Sequence, residues 1–247
     1  MLGLGNNLKK QGLTTPGIIT DSLVLKHKYD AGSVVPVSDG AIYFDGSVDS
    51  YVTAADSASL DFTDAFSSCC WVMTVRGGST QDWDSMWGKG DLSDGTQAYV
   101  LKFTNNDTAR LELNGASGSR ADSTSTFTSA TDGIWTHIAC TYDKSNTKMY
   151  INGVLEDTTS YSTSISANSE LLHIGMAVNT GNGFKGYMCN LGMWNVALTQ
   201  PQIKSIMNKR YTDLTSSELV GLTAWWAFDT DANDATDNDN DGVISGG

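Results

Sequence analysis

Three sets of residues in this 247-residue chain have types and spacing that could do chemistry, each of a different kind. The first is the acids. Retaining cleavage of a glycosidic bond needs two carboxyl groups about 5–5.5 Å apart. The four Glu residues (Glu112, Glu156, Glu170 and Glu218) are isolated, and no Glu-x-Asp-x-x-Glu string occurs. The second is Asp237-x-Asp239-x-Asp241-Gly242, which reproduces the start of an oxygen-ligand calcium loop. Alternate carboxylates on a tight loop converge on one point, and Gly permits the turn. The distal bidentate Glu of such a loop is absent, and the same text also reads as an acidic, solvated turn. The third is Asp82-Trp83-Asp84, where an indole stands between two acceptors on the approach to a strand. An exposed indole beside hydrogen-bond acceptors can stack on a sugar ring and bind its hydroxyls. These residues are therefore the candidate carbohydrate site, and Asp237, Asp239 and Asp241 the candidate calcium site.

Other chemistry finds little support. His27, His137 and His173 lie in separate segments. Gly181-x-Gly183-x-x-Gly186 has the spacing of a dinucleotide fingerprint but neither follows a strand of a βαβ unit nor opens a helix. Cys69, Cys70, Cys140 and Cys189 sit in apolar, strand-like text without metal-ligand spacing, and are expected to be free and buried. A net charge of −13 opposes nucleic-acid binding. No apolar run approaches the roughly 20 residues that span a bilayer, so no membrane is expected. Catalysis is not expected either.

The elements that must position these residues are strands. The chain is poor in helix formers and rich in turn formers. From Gly40 onward short apolar segments alternate with Gly, Ser, Asn and Asp clusters, the pattern of an all-β sandwich. Strands are expected at 41–44, 51–53, 67–76, 84–89, 98–104, 109–113, 135–143, 148–151, 154–158, 171–175, 186–195 and 222–228. Asn152-Gly153 marks a two-residue hairpin. One short helix is expected after Thr199, a cap, with Pro201 in its first turn. Trp225 and Trp226 must face opposite sides of their strand. Residues 1–38 lack periodicity and hold Lys9, Lys10, Lys26 and Lys28; they read as an extended N-terminal arm. Its first residues have no apolar core of the kind that marks a secretory signal.

Several segments together resemble one family. Phe44-Asp45-Gly46, Asp49–Val52, Leu60–Thr63 and Cys70-Trp71-Val72 are similar to the opening of the laminin-G-like, concanavalin A-like jelly roll. GIWTHIACTYD (133–143), KMYINGVL (148–155), LLHIG (171–175) and FKGYMCNLGMWNVALTQPQI (184–203) are similar to its later half. The resemblance implies a two-sheet antiparallel jelly-roll sandwich over 39–211. It also implies structural roles for Trp71, Trp135 and Trp194. The paired acids that jelly-roll glucanases carry on one strand are missing. Residues 212–247 depart from the pattern, because text that often opens the family stands last here. That strand and acidic loop complete either this sandwich or a neighbouring one.

The whole chain also resembles structural proteins of tailed phages. That implies a non-enzymatic virion protein, a capsid decoration or tail-associated protein displaying a lectin-like jelly roll. The arm would then bind other virion proteins and further copies of the chain in a homo-oligomer, with the virion as its location. The alternative is a carbohydrate-binding module recognising polysaccharide.

Overall fold

Asn152 and Gly153 both adopt positive φ, 49° and 73°, as a two-residue hairpin turn with strand twist requires. The strands on either side belong to one of two antiparallel sheets in the computed structural model, which describes residues 35–75, 83–91, 93–176 and 183–245. All of the expected arm except its last four residues lies outside that set, as does Asp82. In chain order the strands are β1 (Ile42–Asp45), β2 (Tyr51–Ala54), β3 (Phe66–Thr74), β4 (Ser85–Lys89), β5 (Tyr99–Phe103), β6 (Thr108–Leu113) and β7 (Ala121–Thr126). They continue with β8 (Trp135–Tyr142), β9 (Asn146–Ile151), β10 (Val154–Ser160), β11 (Leu172–Ile174), β12 (Lys185–Trp194), β13 (Leu222–Trp226) and β14 (Gly242–Ser245). One α-helix among the described residues, α1 (Gln200–Ile206), lies between β12 and β13. Thr199 and Gln202 form a reciprocal capping box at its start, with Pro201 in the first turn.

The first sheet runs β1-β12-β3-β8-β9-β10, and β13 also pairs with β12. The second runs β14-β2-β11-β4-β5-β6-β7. Phe44, Phe66, Trp87, Tyr99, Phe103, Tyr142 and Trp226 fill the space between them. The all-β, two-sheet jelly roll expected from the sequence is the fold observed.

The first sheet is buried on its other face as well. Cys69, Tyr150, Trp194 and Trp225 point outward from it and pack under Ile203 and Ile206 of α1, with Leu198 and Leu214. Trp194 and Trp225 meet edge to face, ring centroids 6.2 Å apart. Each Trp of the 225–226 pair therefore has its own layer: Trp226 the core between the sheets, Trp225 the second cluster beneath the helix. The C-terminal strand completes its own chain's sheet, because β13 pairs with β12 and β14 with β2. All four cysteines are free and buried.

The edges β7 and β10 are tied together by carboxylates. Glu156 sits at an irregularity in the β9–β10 register. It accepts from the backbone N–H of Thr124 and Ser125, 2.9 and 2.8 Å. Asp157 accepts from the N–H of Asp122, 2.9 Å. Edge donors that would otherwise recruit another strand are thus occupied.

Candidate carbohydrate-binding face

On the outer face of the second sheet, cross-strand registers place Ser85 opposite Lys102, Lys102 opposite Arg110, and Arg110 opposite Asp122. The inward alternates of these strands (Tyr99, Leu101 and Phe103 on β5, Ala109 and Leu111 on β6) belong to the core, which leaves the polar residues on the opposite side. One row of side chains therefore crosses four strands. Val100 pairs with Glu112 two residues along, on the same face.

The row is a connected charge network. Arg110 binds Asp122 through two hydrogen bonds of 2.6 Å, the geometry in which guanidinium and carboxylate match best. Glu112, fully buried, takes Arg120 at 2.7 Å, Lys102 at 3.5 Å and a hydrogen bond from Gln97 at 3.4 Å. Burial pushes the Glu112 carboxyl up, but the charges of Lys102 and Arg120 outweigh it and hold the group below its ordinary value. Burial pulls the Lys102 ammonium down, and Glu112 only partly restores it. The hydrogen bonds to Asp122 raise Arg110.

Trp83 lies over this network. Lys102 Nζ is 5.3 Å from its ring centroid and Arg110 Cζ 5.7 Å, both within cation–π reach. The residue has φ 73°, a left-handed conformation rare for a bulky side chain. Its side chain nevertheless stays at the surface, with the residue 37% exposed. Asp84, the expected acceptor on one side of Trp83, is only 1% exposed, so its carboxylate is not offered to solvent beside the indole. The acceptor the sheet does present within this network is Asp122, whose side chain is 36% exposed. Lys102, Arg110, Glu112 and Asp122 are not among the residues the sequence singles out. Their one signal there is charge within strand-like text: Lys102 on β5, Arg110 and Glu112 at alternating positions of β6, and Asp122 on β7.

The acidic C-terminal turn is organised differently from a calcium loop. Its centre is Asp234, whose carboxylate accepts from the N–H of Trp225 (2.8 Å), Thr236 (3.0 Å) and Asn240 (3.1 Å) and from the Thr236 hydroxyl (2.8 Å). Asn238 and Asn240 donate to Thr223 O, both at 2.9 Å. Asp237, Asp239 and Asp241 are all exposed, and Asp241 accepts from the Asp234 N–H. Among the described residues no three His, Cys, Asp or Glu side chains gather to hold a metal ion. The Asp-x-Asp-x-Asp alternation is broken by Asp239, which takes φ 54°, and the turn is closed by its own hydrogen bonds. Melting temperatures in calcium and in chelator should therefore coincide; a rise with calcium would show that the turn rearranges to bind it.

A family described as the concanavalin A-like lectin/glucanases superfamily matches residues 45–204, and the chain belongs to it. Among solved structures, the chain is similar to a putative carbohydrate-binding protein from Bacteroides ovatus, with TM-score 0.62 and 19% identity over 83% of this chain. It spans 59% of that protein's length. It is also similar to domain 4 of an extracellular arabinanase from Geobacillus stearothermophilus in complex with arabinotriose, with TM-score 0.51, 18% identity, and coverage of 72% of this chain and 83% of that one. A third likeness is the carbohydrate-binding module of a Ruminococcus gnavus sialidase bound to α2,3-sialyllactose, with TM-score 0.50, 16% identity, and coverage of 72% and 100%. No curated protein matches the sequence.

Proposed function

We propose that the chain is a carbohydrate-binding module that holds polysaccharide on the outer face of its second sheet, with Trp83 as the stacking platform. The observation that carries this reading is the conformation of Trp83. A left-handed backbone at a bulky residue costs about 1–3 kcal/mol, and such strain concentrates at functional sites. Deep burial would be an ordinary compensation, yet the residue remains 37% exposed. Lys102 and Arg110 hold the indole in place, and Asp122 supplies an acceptor within the same network. The fold is also one on which the neighbours above hold arabinotriose and sialyllactose.

Titrating the chain against a panel of arabinan, sialylated and β-glucan oligosaccharides tests it. At least one should bind, and Trp83→Ala should weaken that binding about tenfold or more, matching ~1.4 kcal/mol of lost stacking, while Trp83→Phe keeps part of it. Binding by the alanine variant at full strength would sink the reading, as would silence across the panel. No reducing ends should appear during incubation with the bound polymer. The narrower part of the proposal, display of this module on a virion through residues 1–38, rests on the sequence resemblance alone. Labelling of purified phage particles with an antibody to the chain tests that part.

A further inference from the structure

Glu112 faces two cations at a single atom. Lys102 Nζ lies 3.5 Å from Glu112 Oε2, and Arg120 Nε lies 2.7 Å from the same oxygen. Arg110, the other cation of the row, has a carboxylate of its own, with both of its hydrogen bonds on Asp122. Lys102 and Arg120 therefore share one negative charge. A positive charge is left over on this face of a chain whose net charge is −13. Glu156 and Asp157 on the edge strand β10 do not answer it: their carboxylates accept from backbone N–H groups and from the Ser125 hydroxyl. Besides burial, the like charges of Arg120 and Arg110 push the Lys102 ammonium down.

Hydrogen-bond donors are in surplus at the same place. Arg120 uses only Nε on Glu112; its two terminal nitrogens donate to no described residue, and its side chain is 35% exposed. Lys102 carries three N–H donors, and its one described polar partner, Glu112, is at 3.5 Å, beyond the usual hydrogen-bond range. Ser85, opposite Lys102 in the register and fully buried, holds a hydroxyl without a partner. Buried donors without acceptors are costly, and an anionic acceptor relieves both the missing bonds and the excess charge. The planar fork of a guanidinium matches the two oxygens of a carboxylate. Trp83 adjoins these groups, its ring centroid 5.3 Å from Lys102 Nζ.

We infer that the sugar held on Trp83 is acidic, a uronic or sialic acid whose carboxylate binds the free end of Arg120 and the ammonium of Lys102; this narrows the substrate class of the function proposed above and rests on it.

Calorimetric titration of the full chain with trigalacturonic acid and its methyl ester, and with sialyllactose and its methyl ester, tests it and separates the two sources. At least one acid should bind about tenfold tighter than its ester. The sign is diagnostic, because a net charge of −13 repels acids and by itself favours the ester. Arg120→Gln should weaken that acid about tenfold and leave the ester within about twofold. Arg210→Gln, an equal charge change in the pair with Asp39, should leave both unchanged. Arg120→Lys keeps a cation beside Glu112 without the fork, and should retain only part of the preference even if the glutamine variant fails to fold. Equal affinity for each acid and its ester, tighter esters, or equal losses in Arg120→Gln and Arg210→Gln would overturn the inference. Trp83→Ala should weaken acid and ester alike. Arabinan or β-glucan bound in a Trp83-dependent way, with no gain for either acid, would overturn the acidic sugar and leave the proposed function standing. Silence from every sugar would sink both.

Discussion

Trp226→Ala should bring the domain close to unfolding. The side chain is fully buried between the sheets, and its Nε1–H donates to Asn240 O at 3.0 Å. Truncating a buried aromatic costs about 3–5 kcal/mol, a large part of the roughly 5–15 kcal/mol that holds a domain folded. Removing residues 222–247 should go further and abolish cooperative folding. It takes both Trp rings, uncovers half of the β12 edge, and strips β14 from β2. The neighbouring Trp225 sharpens the expectation. Its indole N–H has no hydrogen-bond partner in the described structure, so Trp225→Phe sacrifices packing alone. Trp226→Phe also orphans a buried carbonyl and should cost more. Urea denaturation separates these outcomes; an unchanged midpoint in Trp226→Ala would show that the C-terminal strand contributes nothing to the sandwich.

The opposed fates of Trp225 and Trp226 are legible in the amino-acid order itself, because alternation along a strand leaves no other arrangement. So are the Asn152-Gly153 turn and the Thr199 cap, where local stereochemistry decides. β7 is not. Its sequence, Ala-Asp-Ser-Thr-Ser-Thr, reads as turn-forming text, and its inward positions are small: Ala121 is fully buried and Ser123 is 3% exposed. Ser123 suits that place because its hydroxyl accepts the Ala109 N–H and donates to Ser125 O. A polar residue satisfied by its neighbours carries no apolar signal. The site divides in the same way. Trp83 stands out by residue type, whereas Lys102, Arg110 and Asp122 acquire meaning only from registers between strands. Asp237, Asp239 and Asp241 offer a spacing, whereas Asp234, whose carboxylate organises the turn, has none that marks it in the sequence.

Acid should destabilise this protein in two stages. His137 is 1% exposed and packs edge to face on Trp71, ring centroids 5.3 Å apart. Burial pushes its imidazole down to about 3, from an ordinary 6.5. Below pH 6.5 the unfolded chain therefore takes up a proton that the folded chain refuses. Stability falls by about 1.4 kcal/mol per pH unit, until the folded imidazole protonates as well. Glu218 adds the second stage. Burial pushes its carboxyl up, but hydrogen bonds from Lys209, the Thr215 N–H and the Ser205 and Thr215 hydroxyls outweigh that and hold it at about 2. Its contribution is fully present above its ordinary 4.5 and is lost as the pH falls from there toward 2. The slope of unfolding free energy against pH should therefore steepen below 4.5. His137→Phe keeps an aromatic ring beside Trp71 and removes the proton, so it should reduce the slope between pH 6.5 and 4.5 to the share of His173, whose imidazole burial also lowers, while leaving the lower stage. Glu218→Gln should do the reverse, at the cost of its pairing with Lys209. If the upper slope survives undiminished in His137→Phe, its imidazole is not a group that binds a proton on unfolding.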